Sequence, residues 1–204
     1  LQGHRFAVDS RVIVPRSPIA ELLADDLAPW INDPDNVELV LDLCTGSGCL
    51  AVLAALAYPN AQVDAVDLSD NALEVADENI EQFGLDGRVT THRSDLFEQM
   101  PRCEYDLIVC NPPYVNSHSM ESLPAEYRHE PTMALAGGED GMDIVRRILR
   151  SAPDFMAPDG ILVLEIGNEY ENFLAAFPDL EPVWLSTENS DDQILLLTRE
   201  QLAS

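Results

Sequence analysis

Residues 38–48 read Glu-Leu-Val-Leu-Asp-Leu-Cys-Thr-Gly-Ser-Gly, and this stretch decides the fold. The apolar run that ends at Leu43 predicts a buried strand, and the glycines after it permit a tight turn into an apolar helix over residues 49–58. Open α/β sheets bind ligands at such turns, outside the carboxyl ends of their strands. The turn is not a dinucleotide fingerprint, because Ala51 stands where the third glycine belongs. It is not a phosphate loop either, because no Gly-Lys-Ser/Thr follows. The glycine pattern also disfavours a nicotinamide oxidoreductase.

The alternation of strands and helices continues along the rest of the chain. Apolar runs predict strands over residues 61–66, 89–92, 105–110 and 161–166, a closing antiparallel pair over 183–187 and 193–198, and helices over 69–83, 141–156 and 170–177. This order predicts an α/β fold with a parallel sheet covered on both faces. Residues 115–141 form a long polar stretch without a regular pattern, and loops of this length usually carry function.

The first residues predict a β-hairpin, with Phe6 and Val8 on one strand and residues 12–14 on the other. We therefore divide the chain into residues 1–16, a β-hairpin linking to a missing N-terminal domain, and residues 17–204, one domain that carries the chemistry. Ser17 and Pro18 suit the start of a helix, because serine caps a first turn and proline fits the first helical position.

The composition is acidic and contains no lysine. The chain has 37 acidic residues and 11 basic ones, for a net charge of -26. Such a field repels a duplex phosphate backbone and attracts a basic protein, so we expect a protein partner and no direct duplex nucleic acid binding. The acidity can equally serve solvation alone. The cysteines show no metal or disulfide spacing, and no run reaches the roughly 18 apolar residues of a membrane span. We expect no metal, no membrane and a cytoplasmic location.

Two acidic residues follow the next strands. Asp67 ends the second strand, where a carboxylate can accept hydrogen bonds from both vicinal hydroxyls of a ribose. The alternative, that Asp67 caps the following helix, is less favoured because Ser69 can serve as that cap. Asp95 follows the third strand and can accept a hydrogen bond from an adenine amino group, although an aspartate in a loop is more often a turn residue. Together they favour an adenosine-type ligand.

The stretch Asn111-Pro112-Pro113-Tyr114 comes directly after a fully apolar strand. Its prolines fix two φ angles and remove two N–H donors, so the loop presents oxygen acceptors in fixed directions. The side-chain oxygen of Asn111 and the backbone oxygen of Pro112 can accept from a planar nitrogen, localise its lone pair and stabilise the charge that it gains on attacking a methyl group. Tyr114 can lay its ring on the planar group. A proline-rich turn without function is the alternative; the combination favours methyl transfer to a planar nitrogen.

The glycine turn, Asp67 and residues 111–114 resemble the class I S-adenosylmethionine-dependent methyltransferases that modify planar nitrogens. The segment Arg11 to Pro18, the residues Tyr127-Arg128-His129-Glu130-Pro131 and residues 136–141 are similar to the protein glutamine methyltransferases of the HemK/PrmC type. Residues 15–18 and 126–131 most resemble the branch that modifies a ribosomal protein. The resemblance extends from about Phe6 to Leu202. Members normally carry an N-terminal helical substrate-recognition domain, which we expect to be missing here.

The resemblance implies a Rossmann-like methyltransferase catalytic domain over residues 17–204, with a mixed seven-stranded sheet whose final strand is antiparallel, preceded by the hairpin. It implies S-adenosylmethionine as cofactor, S-adenosylhomocysteine as product, and N5 methylation of a glutamine in a basic large-subunit ribosomal protein. The implied catalytic residues are Asn111, Pro112, Pro113 and Tyr114. The implied substrate-binding residues are Asn111, Pro112, Tyr114 and Arg16, although Arg16 can equally form a surface ion pair. The implied cofactor-binding residues are Asp42, Cys44, Thr45, Gly46, Ser47, Gly48, Asp67, Asp95, Leu96 and Asn111.

Other functions stay open. One is an amino-methyltransferase acting on DNA or RNA, which the charge disfavours; another is a release-factor glutamine methyltransferase; a third is a non-catalytic adenosine-binding assembly module. Relatives often have glycine where Cys44 stands, and a small thiol should still permit the turn. His129 and Glu130 are not assigned as a general base, because the methylated nitrogen can lose its proton to water.

Overall fold

A computed structural model describes residues 1–121, 130–188 and 190–203. The strands are β1 (Leu39–Leu43), β2 (Gln62–Asp67), β3 (Val89–Arg93), β4 (Tyr105–Cys110), β5 (Met156–Glu165), β6 (Val183–Thr187) and β7 (Ser190–Thr198). They form one sheet in the order β3-β2-β1-β4-β5-β7-β6. β7 runs antiparallel to β5 and β6, and β1 to β5 are parallel to one another. The predicted mixed seven-stranded sheet with an antiparallel final strand is confirmed.

Helices cover both faces of the sheet. They are α1 (Ile19–Ala24), α2 (Cys49–Ala57), α3 (Asp70–Gln82), α4 (Ser117–Glu121), α5 (Asp143–Ser151), α6 (Tyr170–Ala176) and α7 (Arg199–Ala203). Side chains alternate along a strand, so Val40 packs into one core with α1, α2 and α3, while Leu41 packs into the other with α5 and α6. This two-sided burial explains why the central strands are apolar at almost every position.

Residues 1–16 form no strand, so the predicted β-hairpin is wrong. The segment runs along α3 instead. Asn79 Oδ1 accepts from the backbone N–H of Ala7 at 2.7 Å, and Asn79 Nδ2 donates to the carbonyl of Ala7 at 3.0 Å. The ring of Phe6 stacks on Phe83 with centroids 5.2 Å apart. The side of α3 thus supplies the hydrogen bonds and apolar contacts that a second strand would have supplied. Alternating apolar residues can pack on a helix as well as on a neighbouring strand. The link to a missing N-terminal domain stays a prediction.

Two predicted boundaries also differ. The stretch 115–141 is more regular than predicted where it is described: it contains α4, a 3-10 turn over Thr132–Ala134, and a single bridge between Val115 and Ala136. β5 starts at Met156, five residues before the predicted start at Ile161, because Met156 already pairs with Tyr105 of β4. A register shift follows, after which Ile161 pairs with Leu107. The helix predicted to end at Met156 therefore ends at Ser151.

Within the described ranges, no helix has the length and apolar character needed to cross a bilayer. Among those same residues, no group of three or more His, Cys, Asp or Glu side chains is arranged to hold a metal ion.

Candidate active site

A cleft opens at the carboxyl edge of the sheet, where the strand order reverses between β1 and β4. Counted together with the solvent space at its open mouth, it holds about 850 Å³ of empty space. Its walls carry residues that follow four parallel strands, because the ends of those strands meet at one edge. The predicted site residues on these walls are Cys44, Gly46, Asp67, Asp95, Leu96, Asn111 and Pro113.

The turn after β1, residues 42–48, is called the glycine loop below. Asp42 is fully buried, and its Oδ2 accepts from Thr45 Oγ1 at 2.5 Å and from the backbone N–H of Ala51 at 2.9 Å. Burial raises the pKa of Asp42 to about 7. Asp42 and Thr45 therefore support the loop from behind and do not line the cleft. Gly46 has a φ of +55° and no atom within 4 Å of the position of an added Cβ, so its backbone borders open space.

The other residues of the glycine loop also divide into one that lines the cleft and two that support the loop from behind. Cys44 lines the cleft and has a φ of +59°, which explains why glycine suits this position. Ser47 and Gly48 lie away from the wall. The carbonyl of Ser47 accepts from Asn79 Nδ2 at 2.8 Å, and an added Cβ on Gly48 would lie 3.0 Å from that of Ala76. These two residues pack the loop against α3.

Asp67 lies on the cleft wall at the end of β2. Its Oδ2 accepts from the N–H of Gly46 and its Oδ1 from the N–H of Ser69, both at 2.9 Å. Burial raises its pKa. The helix cap comes from Ser69, whose hydroxyl accepts from the N–H of Ala72. Because a carboxylate has about four lone-pair sites, Asp67 can serve the glycine loop and still accept from a ligand.

The turn after β3 brings Asp95 and Leu96 to the opposite wall. Asp95 forms an ion pair with Arg147 at 2.9 Å, and its N–H donates to Gln99. Leu96 has a φ of +52°, an uncommon conformation for a leucine. The turn is therefore held in an unusual conformation at the place where the sequence predicts contact with the adenine ring.

Residues 111–114 are called the acceptor loop below. Asn111 and Pro113 line the cleft, whereas Pro112 is buried and, like Tyr114, does not belong to its wall. The preceding strand β4 is completely buried from Leu107 to Cys110 and pairs with β1 on one side and β5 on the other. The loop thus begins from the centre of the sheet, one strand away from the glycine loop.

Tyr114 is held by contacts from distant parts of the chain. Its hydroxyl donates to Glu165 Oε1 at 2.7 Å. A Cβ added to Gly167 would lie 2.4 Å from its ring, and one added to Gly141 would lie 2.3 Å from its backbone oxygen. Gly137 is equally close, at 2.7 Å from the Tyr114 backbone. The Ala136–Gly141 motif of the sequence therefore serves as the support of the acceptor loop.

Arg16 pairs with Glu130 through both guanidinium nitrogens, at 2.8 and 2.6 Å. The Glu130 side chain is only 7% exposed and also accepts from the N–H of Val14. Arg16 does not line the cleft. Of its two predicted roles, substrate binding and an ion pair, the structure therefore presents the ion pair. The neighbouring motif residues Glu126, Tyr127, Arg128 and His129 lie outside the described residues.

The sequence did not predict two parts of the cleft wall. One comes from the N-terminal segment and the other from the 3-10 turn after Pro131. Met133 gave one usable signal in the sequence, because it is a large apolar residue within a polar stretch. In the structure its exposed fraction is 56%, which is high for such a residue. Arg11 gave none; it is fixed by ion pairs to Asp9 and Glu74. The unpredicted lining residues include Arg11, Val12, Ile13, Pro131, Met133 and Ala134.

The cleft suits an adenosine ligand. Apolar side chains of Val66, Leu68 and Ile144 provide walls for a flat ring. The Asp67 carboxylate offers acceptors for ribose hydroxyls, and the open space beside Gly46 admits a ligand close to the backbone. These features define the class: the fold and the cleft are those of a class I S-adenosylmethionine-dependent methyltransferase.

Known proteins agree with this class. The family model "Methyltransferase small domain" matches residues 20–126. A "Ribosomal protein uL3 glutamine methyltransferase" of Bordetella pertussis is 67% identical over 202 residues, which cover 99% of this chain and 68% of the relative. One of the same name from Burkholderia pseudomallei is 57% identical, with coverage of 99% and 68%. The chain belongs to the family of ribosomal protein uL3 glutamine methyltransferases, the PrmB type. The resemblance seen in the sequence, and the expectation of an enzyme, are confirmed.

Two solved structures share the fold. The hMettl16 catalytic domain, solved with an RNA hairpin, superposes with a TM-score of 0.69 at 13% identity and covers 95% of this chain and 75% of that one. A ribosomal protein L11 methylase from Lactobacillus delbrueckii subsp. bulgaricus gives 0.56 at 18% identity, with coverage of 88% and 76%. At these identities the likeness concerns the fold alone.

Proposed function

We propose that this protein transfers the methyl group of S-adenosylmethionine to the side-chain amide nitrogen of a glutamine in ribosomal protein uL3. The observation that carries the proposal is the position of Asn111 on the wall of the same cleft as the glycine loop and Asp67. The names of relatives with 67% and 57% identity support the choice of uL3.

The glycine loop, Asp67, Asp95 and Leu96 would hold the cofactor. Gly46 lets its tail approach the backbone, Asp67 accepts from the ribose hydroxyls, and the turn at Leu96 borders the base. When bound, S-adenosylmethionine supplies a methyl group on a positively charged sulfur, which a nitrogen lone pair can attack.

The acceptor loop would activate the glutamine amide. An amide nitrogen is a poor nucleophile because its lone pair is delocalised into the carbonyl. Asn111 Oδ1 and the carbonyl of Pro112 accept one N–H each, so the lone pair localises, and the charge that develops during attack is stabilised. The same two hydrogen bonds hold the nitrogen in line with the methyl group, which lowers the entropic part of the barrier. The ring of Tyr114 covers the amide and excludes water.

No general base is required in this scheme. The nitrogen becomes acidic only after it has gained the methyl group, and it can lose its proton to water once the transfer is complete.

The charge favours a protein substrate over nucleic acid. With a net charge of -26 and arginine as the only permanent cation, the chain attracts a basic ribosomal protein and repels phosphates. Raising the salt concentration should therefore slow the capture of uL3, because screening shortens the range of this attraction.

Mass spectrometry tests the proposal directly. The protein is incubated with S-adenosylmethionine in three separate reactions, which contain purified uL3, a release factor or RNA as the methyl acceptor. We expect a gain of about 14 Da, one CH₂, on a single glutamine of uL3. A mass gain found only on the release factor or on RNA would overturn the choice of substrate. No mass gain on any acceptor would overturn the function.

A further inference from the structure

A buried carboxylate next to the acceptor loop has no part in the scheme above. Glu165 is the last residue of β5, and the residue is only 4% exposed. Its Oε1 accepts from the hydroxyl of Tyr114 at 2.7 Å and its Oε2 from the hydroxyl of Ser17 at 2.5 Å. Burying a carboxylate is costly unless it is hydrogen-bonded, so Glu165 depends on these two hydroxyls to remain buried at this position.

The strand register explains its location. Leu164 of β5 pairs with Cys110 of β4, so Glu165 and Asn111 occupy neighbouring strand ends. Both oxygens of Glu165 are already engaged by hydroxyls, and Glu165 does not line the cleft. It can therefore affect the reacting amide only through the groups that it binds.

Tyr114 is the group through which it can act. The ring is confined on one side by Gly167, where an added Cβ would lie 2.4 Å from Cε2. The hydroxyl at the far end of the ring is fixed by Glu165, so a change of χ1, which would swing the whole ring, would break a charge-assisted hydrogen bond. Backbone contacts with Gly137 and Gly141 fix the other end of the residue.

We propose that Glu165 is a positioning residue for methyl transfer: it fixes the position of the Tyr114 ring, whose plane Gly167 confines, against the substrate amide and, through Ser17, connects the start of α1 to the same carboxylate. This inference rests on the proposed function, because it gives Tyr114 the role of covering the amide. The role belongs to the acceptor oxygen of Glu165, and a glutamine at this position retains such an oxygen.

The test measures turnover with uL3 and the affinity for S-adenosylmethionine in four variants: Glu165→Leu, Glu165→Gln, Tyr114→Phe, and the double variant Tyr114→Phe with Glu165→Leu. We expect Glu165→Leu and Tyr114→Phe each to lower kcat roughly 10- to 100-fold, as for loss of a hydrogen bond to a charged group. The double variant should be no slower than the slower single variant, because both changes release the same ring. Glu165→Gln should recover most of the activity.

The affinity for the cofactor distinguishes positioning from general damage. Neither Glu165 nor Tyr114 lines the cleft, so all four variants should bind S-adenosylmethionine within about twofold of the wild type, an estimate for residues without ligand contact. The exposed Glu171 provides a matched control, and Glu171→Gln should leave turnover unchanged.

Several outcomes overturn the inference. They are multiplicative losses in the double variant, no recovery with Glu165→Gln, or a fall in cofactor affinity that parallels the fall in turnover. If Glu165→Leu does not fold, Tyr114→Phe decides: full turnover overturns the inference, and reduced turnover with unchanged cofactor affinity supports it. Failure of the wild type to methylate uL3 would instead overturn the proposed function, and this is read from the wild-type arm alone.

Discussion

The glycine loop and the acceptor loop lie at the same edge of the sheet, but different parts of the chain hold them in place. The glycine loop is stabilised by the Asp42 bonds to Thr45 and Ala51 within its own turn, and by Asp67 and Asn79, which belong to the strand and helix that follow next in the chain. The acceptor loop is stabilised by groups from far along the sequence: Glu165, Gly141 and Gly167. A motif can therefore be readable in the sequence whether or not its structural support is local. The comparison also predicts that changes in the first loop affect cofactor binding or stability, and changes around the second affect turnover.

The largest effect on turnover is expected from Asn111→Ala. Removing one of two acceptors that stabilise developing charge should lower kcat by roughly 10²- to 10³-fold. Calorimetry should still detect S-adenosylmethionine binding, because the glycine loop and Asp67 are intact. An adenosine-binding assembly module would keep its function in this variant, so unchanged biological activity would contradict the enzymatic assignment.

The support of the acceptor loop is tested by Gly141→Ala compared with Gly84→Ala. Both glycines have positive φ values, +79° and +67°, so both variants lose about 1 kcal/mol of stability from backbone strain. Only at Gly141 does the added Cβ meet a backbone oxygen, that of Tyr114 at 2.3 Å, and this overpacking should cost about 1–3 kcal/mol more.

Because Tyr114 must move to relieve that contact, turnover of Gly141→Ala should fall about tenfold or more, a typical cost of displacing a positioned group. Denaturant unfolding and methyl-transfer assays measure the two quantities. Equal stability and equal activity in the two variants would show that the glycines around Tyr114 do not support it.

Asp67→Asn should affect affinity rather than turnover. An asparagine retains one acceptor oxygen but no charge, so the Kd for S-adenosylmethionine should rise about 10- to 100-fold, while kcat at saturation changes little. The matched control is the exposed Asp70→Asn, three residues further along the chain, which should leave the Kd unchanged. A large loss of kcat in Asp67→Asn would contradict the proposal that the glycine loop and Asp67 act in cofactor binding while the acceptor loop acts in turnover.

The smallest effect on turnover is expected from Asp42→Asn, which should change how stability depends on pH. Burial raises the pKa of Asp42 from 3.8 to about 7, so the folded protein retains a proton that the unfolded chain releases above about pH 4. The contribution of this proton to stability is fully present below the unfolded pKa and is lost as the pH rises towards 7.

Unfolding curves at a series of pH values test this sign. Relative to Asp42→Asn, the wild type should lose on the order of a few kcal/mol in its free energy of unfolding between pH 4 and 7, since each pKa unit corresponds to about 1.4 kcal/mol. Parallel curves for the two proteins would show that Asp42 does not carry a raised pKa.

The sequence was sufficient for the sheet, since apolar runs and glycine turns are local signals. The strand β4 was predicted without error, and the two loops that contribute to the cleft wall were singled out from their residue types; their binding roles stay predictions. The N-terminal segment was predicted wrongly, because the alternation of Phe6 and Val8 does not distinguish packing on α3 from pairing with a strand. Glu165 and the segment around Val12 were missed as parts of the site. Their roles depend on contacts between segments that are distant in sequence, and no local pattern encodes such contacts.

The hydrogen bond between Ser17 and Glu165 joins residues 148 positions apart. A ribosome that adds about 5–20 residues per second needs on the order of 10 s to synthesise the chain between them. During that interval the glycine loop, Asp67 and the acceptor loop have all been made, but the partner of Tyr114 has not. The nascent chain therefore cannot form the hydrogen bonds that join Ser17 and Tyr114 to Glu165 until β5 has left the exit tunnel.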